Sequence, residues 1–155
     1  MKVKDLNIIY ESSTRLLKRS SFTAVSAANF EIPTGKIIGL VGGSGSGKTS
    51  LGRTLLTAIP FQAGSILYQF RDEKFDLNGL SGSSLKTFRQ HAQMVFQDPY
   101  GSLNMRLTVR DIIAEPLEAM QLTQNRNETD LRVLEIATRC RLDLEQLRRF
   151  PHTFS

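Results

Sequence analysis

Apolar positions along the chain fall into two regimes. Up to Gln97 they come in short runs of strand length, and after Leu107 they recur at helical spacing. Residues 2–10 (KVKDLNIIY) and 22–32 (FTAVSAANFEI) read as strands separated by a Ser-, Arg- and Lys-rich loop over 11–21. The turn signal Pro33-Thr34-Gly35 closes the second. The next segment, Lys36-Ile37-Ile38-Gly39-Leu40-Val41, is apolar almost throughout, the composition of a strand buried on both faces in a parallel sheet. Leu51, Leu55 and Ile59 lie one turn apart, which predicts a helix over 49–59 that Pro60 ends. Residues 65–70 (SILYQF) and 93–97 (QMVFQ) predict two further strands, and the polar, glycine-broken stretch 71–84 reads as loop or short turns. Thr108 is expected to cap a helix whose apolar face carries Val109, Ile112, Ile113 and Met120. Asn127 is expected to cap the next, with Val133, Ile136, Ala137 and Cys140 on its apolar face, and residues 144–150 predict a short third helix before Pro151.

Between the apolar run 36–41 and the first helix lies Gly42-Gly43-Ser44-Gly45-Ser46-Gly47-Lys48-Thr49, which matches G-x-x-x-x-G-K-S/T in the strand-to-helix setting this motif requires. Glycines permit positive φ and bring backbone N–H groups close to phosphate oxygens. The helix that follows directs its positive end at the same anion. Lys48 supplies a point charge for the β- and γ-phosphates, and the Thr49 hydroxyl suits Mg²⁺, a hard ion that prefers oxygen. A flexible Gly/Ser linker would have no reason to place Lys-Thr directly after the last glycine. The motif implies binding of a nucleoside triphosphate and leaves GTPase, kinase, motor and transporter ATPase open.

Val95-Phe96-Gln97-Asp98-Pro99-Tyr100-Gly101-Ser102-Leu103-Asn104 narrows that choice. It resembles the Q-loop of ABC ATPases, in the form found in the peptide and nickel importer branch. Glu31-Ile32-Pro33-Thr34-Gly35-Lys36, Gly39-Leu40-Val41-Gly42 and Ile112-Ile113-Ala114-Glu115-Pro116-Leu117 agree with that branch. Phe150-Pro151-His152-Thr153-Phe154-Ser155 is similar to the run into the ABC signature motif. Gly43 stands where the branch usually has Glu, Thr49-Ser50 replaces Ser-Thr, and Met105 replaces a usual Pro.

The resemblance implies an α/β fold: a P-loop NTPase of the ABC nucleotide-binding type, with its N-terminal part present and the fold incomplete. Residues 1–97 would form the N-terminal part of the ATP-binding core, and residues 98–155 the Q-loop and the start of the helical subdomain. ATP would be held by Gly42, Gly43, Ser44, Gly45, Ser46, Gly47, Lys48, Thr49 and Ser50. An aromatic upstream, Phe22 with Tyr10 behind it, would stack on adenine. Gln97 would act as the catalytic sensor, sharing Mg²⁺ with Thr49. The implied partners are a second ABC ATPase subunit, in a homo- or heterodimer, and transmembrane permease subunits, at the cytoplasmic face of the membrane. The rest of the signature, the Walker B aspartate, the catalytic glutamate and the switch histidine would lie beyond Ser155. The chain as given is therefore expected to bind nucleotide weakly and not to hydrolyse it. Its strands are expected to show bare edges and uncovered apolar faces. The alternatives are a non-transport ABC ATPase and an inactive nucleotide-binding relic of a truncated gene.

Composition adds limits. With 40% hydrophobic and 23% charged residues the chain has a globular balance, and no apolar run reaches the roughly 20 residues of a membrane-spanning helix. The charged start, Met1-Lys2-Val3-Lys4-Asp5, does not read as an export signal. A single cysteine, Cys140, rules out an internal disulfide and fits a reducing compartment. The net charge of +5 is scattered among apolar and acidic residues rather than gathered in a stripe, so nucleic acid is not the expected partner.

Overall fold

The computed structural model describes residues 1–13, 19–98 and 101–154, with only the backbone at 12, 13, 19 and 20. The heart of the predicted loop (14–18), the Pro99-Tyr100 pair and Ser155 lie outside the described residues. The chain divides into two compact units, Met1–Gln93 and Met94–Ser155.

In the first unit β1 (Lys2–Ser13) and β2 (Arg19–Glu31) form a long antiparallel hairpin. Its arms extend into the 11–21 stretch that the sequence assigns to a loop. β3 (Ala63–Phe70) pairs with the other edge of β1, and β4 (Glu73–Asp76) pairs with β3, so the sheet order is β2-β1-β3-β4, antiparallel throughout. A bulge gives β1 its buried face. The pairing slips between Val3 and Leu6, which changes the parity of the alternation and lets Val3, Leu6 and Ile8 all enter the core. Asp5 takes φ 47° there, and Asn29 braces it. The Asp5 N–H donates to Asn29 Oδ1 at 3.0 Å and Asn29 Nδ2 donates to Asp5 Oδ1 at 2.9 Å. Across from this bulge, a Cβ on Gly64 would stand 2.5 Å from the Lys4 carbonyl oxygen, so only glycine lets β3 approach.

Two helices cover the sheet residues. α1 (Lys48–Leu55) contributes Leu51, and α2 (Gly82–His91) contributes Phe88, to a core with Val3, Leu6, Ile8, Ile66, Phe75 and Leu77. Tyr68 meets the Phe88 ring edge-on at 5.4 Å, and Phe75 lies 5.9 Å from it. β4 and the first three residues of α2 fall in the stretch 71–84 that the sequence assigns to loop or turns, and Ser, Gly and Lys mask a helix whose burial rests largely on one residue, Phe88. His91 closes α2 half-buried, stacked on Phe70 at 4.2 Å.

α1 ends four residues before the apolar spacing does. Thr57 adopts φ 58°, its N–H donates to the Thr54 carbonyl and the Ala58 N–H donates to the Arg53 carbonyl, the paired bonds of a Schellman stop. Within α1, Thr54 is buried and its hydroxyl has no hydrogen-bond partner among the described residues. An unmade buried hydroxyl bond costs about 1–3 kcal/mol. Thr54→Val keeps the shape and removes the group, and helix propensities of the two residues are similar. The variant should be more stable by about 1 kcal/mol in urea unfolding; a lower midpoint would mean that the hydroxyl has a partner after all.

The segments 36–41 and 93–97, read as strands from composition, have no strand structure. Ile37, Ile38, Leu40, Val41, Val95 and Phe96 are exposed. A strand exists only through its ladder, and no described segment supplies one here.

The second unit is helical. α3 (Val109–Ala119) begins at Thr108, whose hydroxyl accepts from the Asp111 N–H at 3.2 Å, as the sequence predicts. α4 (Arg126–Arg139) begins two residues earlier than predicted. Asn125, not Asn127, is its cap, accepting from the Glu128 N–H at 3.0 Å, while Glu128 reaches back to the Gln124 N–H at 2.8 Å. Ala114, Val133, Ala137 and Leu147 form its core, and Cys140 is exposed. The expected third helix is a 3-10 turn, Leu144–Arg148, opened by a capping box on Asp143 and Gln146. Arg110 ties the two long helices together. It donates to Asp111 and Asp130, which raises its own pKa. The Asp111 carboxyl is held below its ordinary range by the Thr108 hydroxyl and then by Arg110.

Candidate functional site

The glycine-rich loop runs from exposed backbone directly into α1. Gly47 precedes the helix at φ 86°, and Lys48 is the first helical residue. The first intrahelical bond is Leu51 N–H to the Gly47 carbonyl at 2.8 Å, so the amides of Lys48, Thr49 and Ser50 have no acceptor within the helix. These are the donors that an anion at a helix N-terminus uses. The loop is seated on β2. A Cβ on Gly47 would fall 2.3 Å from the Ala24 carbonyl oxygen and 3.1 Å from Val25 Cγ2. Backbone against backbone is thus what fixes the start of α1.

Lys48 lies inside its own loop. Its ammonium donates to the Gly42 carbonyl at 2.8 Å, the Gly43 carbonyl at 2.6 Å and Ser46 Oγ at 3.2 Å. The loop therefore holds a compact cation at its centre, with the α1 amides beside it. Phe22, Ala24 and residues 45–50 line a cavity of about 260 Å³ at this point. Phe22 is 62% exposed, so its ring is open for a flat partner to stack on. Tyr10 sits opposite Phe22 in the β1–β2 pair, and its hydroxyl donates to Ser50 Oγ at 3.0 Å. Thr49 is exposed.

Of the residues the sequence singles out, Phe22, Gly45, Ser46, Gly47, Lys48, Thr49 and Ser50 line one cavity. Gly42 and Gly43 reach it through the Lys48 ammonium, and Ser44 is exposed in the adjoining turn. Gln97 belongs to the second unit, exposed in irregular backbone. Two contributors are invisible in the sequence: Ala24, whose carbonyl seats Gly47, and the Tyr10–Ser50 bond. Neither residue type carries a motif, and the register of the hairpin alone brings them to the loop. Among the described residues no group of three or more His, Cys, Asp or Glu is placed to hold a metal. Metal chemistry at the loop would rest on hydroxyl oxygen and on a ligand's own phosphates.

A glycine loop with its lysine at the head of a helix is shared by many nucleotide-binding proteins, and comparison with known sequences decides among them. Residues 25–155 match the ABC transporter family. This chain belongs to that family. The ABC relatives extend the match over the whole chain. The dipeptide transport ATP-binding protein DppF of Lactococcus lactis subsp. cremoris (strain MG1363) is 38% identical over 157 residues, covering 100% of this chain and 48% of the relative. The oligopeptide transport ATP-binding protein OppF of Streptococcus mutans is 39% identical over 155 residues, again covering 100% and 48%. OppF of Bacillus subtilis (strain 168) is 36% identical over 156 residues, covering 100% and 50%. The chain thus spans about half the length of these curated relatives. The dimeric, ADP- and phosphate-bound structure of the ATP-binding cassette MJ0796 superposes with a TM-score of 0.74 at 21% identity, covering 99% of this chain and 62% of that one. That likeness shows the ABC ATPase fold. The peptide-importer branch to which the Q-loop sequence points is the branch of these relatives. Among the described residues no helix is long and apolar enough to cross a membrane.

Proposed function

We propose that this chain is the nucleotide-engaging part of an ABC ATPase that energises import of peptides or a similar small solute. The observation that carries the reading is Lys48 at the head of α1, with its ammonium drawn to the centre of the loop and three helix amides beside it. The α1 amides would hold phosphate oxygens, and Lys48 would exchange loop carbonyls for the β- and γ-phosphates. Phe22 would stack on the adenine face, with Tyr10 holding Ser50 in place. Thr49, and Gln97 from the second unit, would be this chain's ligands for Mg²⁺. When bound, the ion neutralises charge on the transferring phosphoryl group. The dimeric state of the related MJ0796 cassette supports a second ATPase subunit as partner. Permease subunits are the membrane partner in this reading. The apolar cavity of about 410 Å³ lined by Leu103, Val109, Ile112, Ile113, Leu142, Pro151 and Phe154 supports a docking surface on the second unit. A peripheral position at the cytoplasmic face follows from those partners.

Titration with a fluorescent ATP analogue tests the reading. Lys48→Ala should weaken binding at least tenfold, about 1.4 kcal/mol or more, because it removes the charge while leaving the helix amides. Equal affinity of the two forms would falsify the assignment of this loop.

A further inference from the structure

The Lys48 ammonium is fully engaged before any ligand arrives. An ammonium offers three hydrogens and accepts nothing. Here each has an acceptor: the Gly42 carbonyl at 2.8 Å, the Gly43 carbonyl at 2.6 Å and Ser46 Oγ at 3.2 Å. A phosphate oxygen can be bonded only after one of these contacts opens. The three are not equal. Both carbonyls belong to the loop backbone, and the Ser46 N–H also donates to the Gly43 carbonyl, at 3.4 Å, which holds that turn closed. The contact to Ser46 Oγ is the longest, and of the three it alone is made to a side chain, which can leave by one χ1 rotation. The hydroxyl is folded back over the loop, since a Cβ on Gly42 would stand 2.6 Å from Ser46 Oγ. Ser46 and Lys48 line the same cavity of about 260 Å³, with Thr49 and Ser50 of α1. In the free loop the hydroxyl therefore holds the place on the ammonium that a phosphate oxygen needs.

We propose that Ser46 is an internal competitor of phosphate. Its hydroxyl latches Lys48 in the free loop, and the exchange of loop contacts for phosphates begins when that hydroxyl rotates away. The inference rests on the nucleotide reading and adds a regulatory contact to it. A hydrogen bond to a charged group has to be given up before Lys48 can capture a ligand, so the latch slows capture and weakens it. It acts on the phosphates and is blind to the base.

The test uses the full chain, a fluorescent ATP analogue at equilibrium and in stopped flow, and tripolyphosphate as a competitor without a base. Ser46→Ala removes the hydroxyl and leaves both carbonyls in place. Its affinity for the analogue should rise by at least about threefold. The gain should lie in the association rate, and tripolyphosphate should gain by the same factor. Ser46→Thr keeps a hydroxyl and should bind like the parent. Equal or weaker binding by Ser46→Ala would overturn the proposal. So would a gain confined to the dissociation rate, a gain that tripolyphosphate does not share, or a threonine variant that tightens as alanine does. Each of these leaves the nucleotide reading standing when Lys48→Ala still loses affinity. Binding indifferent to Lys48 would overturn that reading, and the latch with it.

Discussion

Gly47→Ala is expected to remove detectable nucleotide binding and to destabilise the first unit. At φ 86° an alanine costs about 1–2 kcal/mol in backbone strain alone. The larger effect is steric. The new Cβ would stand 2.3 Å from the Ala24 carbonyl oxygen, and no side-chain rotation relieves a contact with β2 backbone. Either the strand or the start of α1 must move. Moving α1 displaces Lys48, Thr49 and Ser50 together, the three amides and the cation that form the anion site. Affinity for an ATP analogue should fall by about a hundredfold or more, roughly 2.8 kcal/mol, with unfolding shifted by about 2 kcal/mol. Gly43→Ala is the matched control. A Cβ there meets nothing within 4 Å, so this variant should bind and melt like the parent. If Gly47→Ala behaves as Gly43→Ala does, β2 does not seat the loop.

The second large effect is an absence of turnover. This chain alone should release no phosphate from ATP beyond background. Hydrolysis needs a positioned water, a metal held in place and stabilised equatorial oxygens. Lys48 and the α1 amides can hold phosphates, and Thr49 can offer one metal oxygen. Among the described residues after Gln97, no carboxylate stands at the end of a strand. Glu115 and Glu118 lie on α3, and Glu135 on α4 is engaged with Arg132 at 2.8 Å. None of the three stands at the end of a strand. A phosphate-release assay decides the point, with Lys48→Ala as the control for contaminating ATPase. Multiple-turnover release that disappears in the Lys48→Ala protein would show that the chain carries a base that its own residues do not suggest.

Local chemistry is legible in the sequence where it acts alone. The phosphate loop stands out because glycine, lysine and threonine at fixed spacing have few other uses. Thr108 stands out as a cap because Asp111 follows at the right distance. Elements decided by partners are not legible. Residues 36–41 have the composition of a buried strand and are exposed, because a parallel ladder draws its neighbours from elsewhere in the sequence. Three helix ends are also hidden. Thr57, Gln121 and Arg141 all take left-handed φ, and each closes its helix with the paired bonds usually assigned to glycine. A search for glycine runs past all three stops. The loop's surroundings are hidden for another reason. Ala24 comes to it through hairpin register, which the shifts in pairing between Val3 and Ile9 set.

The sheet that carries the loop is closed early in the chain. Its last strand ends at Asp76, and every pairing in it is antiparallel. Antiparallel hairpins form in about 1–10 μs, whereas the ribosome adds about 5–20 residues each second. The β1–β2 hairpin therefore has time to form as a nascent structure while the glycine loop is still being made, and the remaining strands can add to it before α3 has left the ribosome. Ala24 is then a preformed seat waiting for Gly47. The order of synthesis thus allows the nucleotide site to be built from a platform outward.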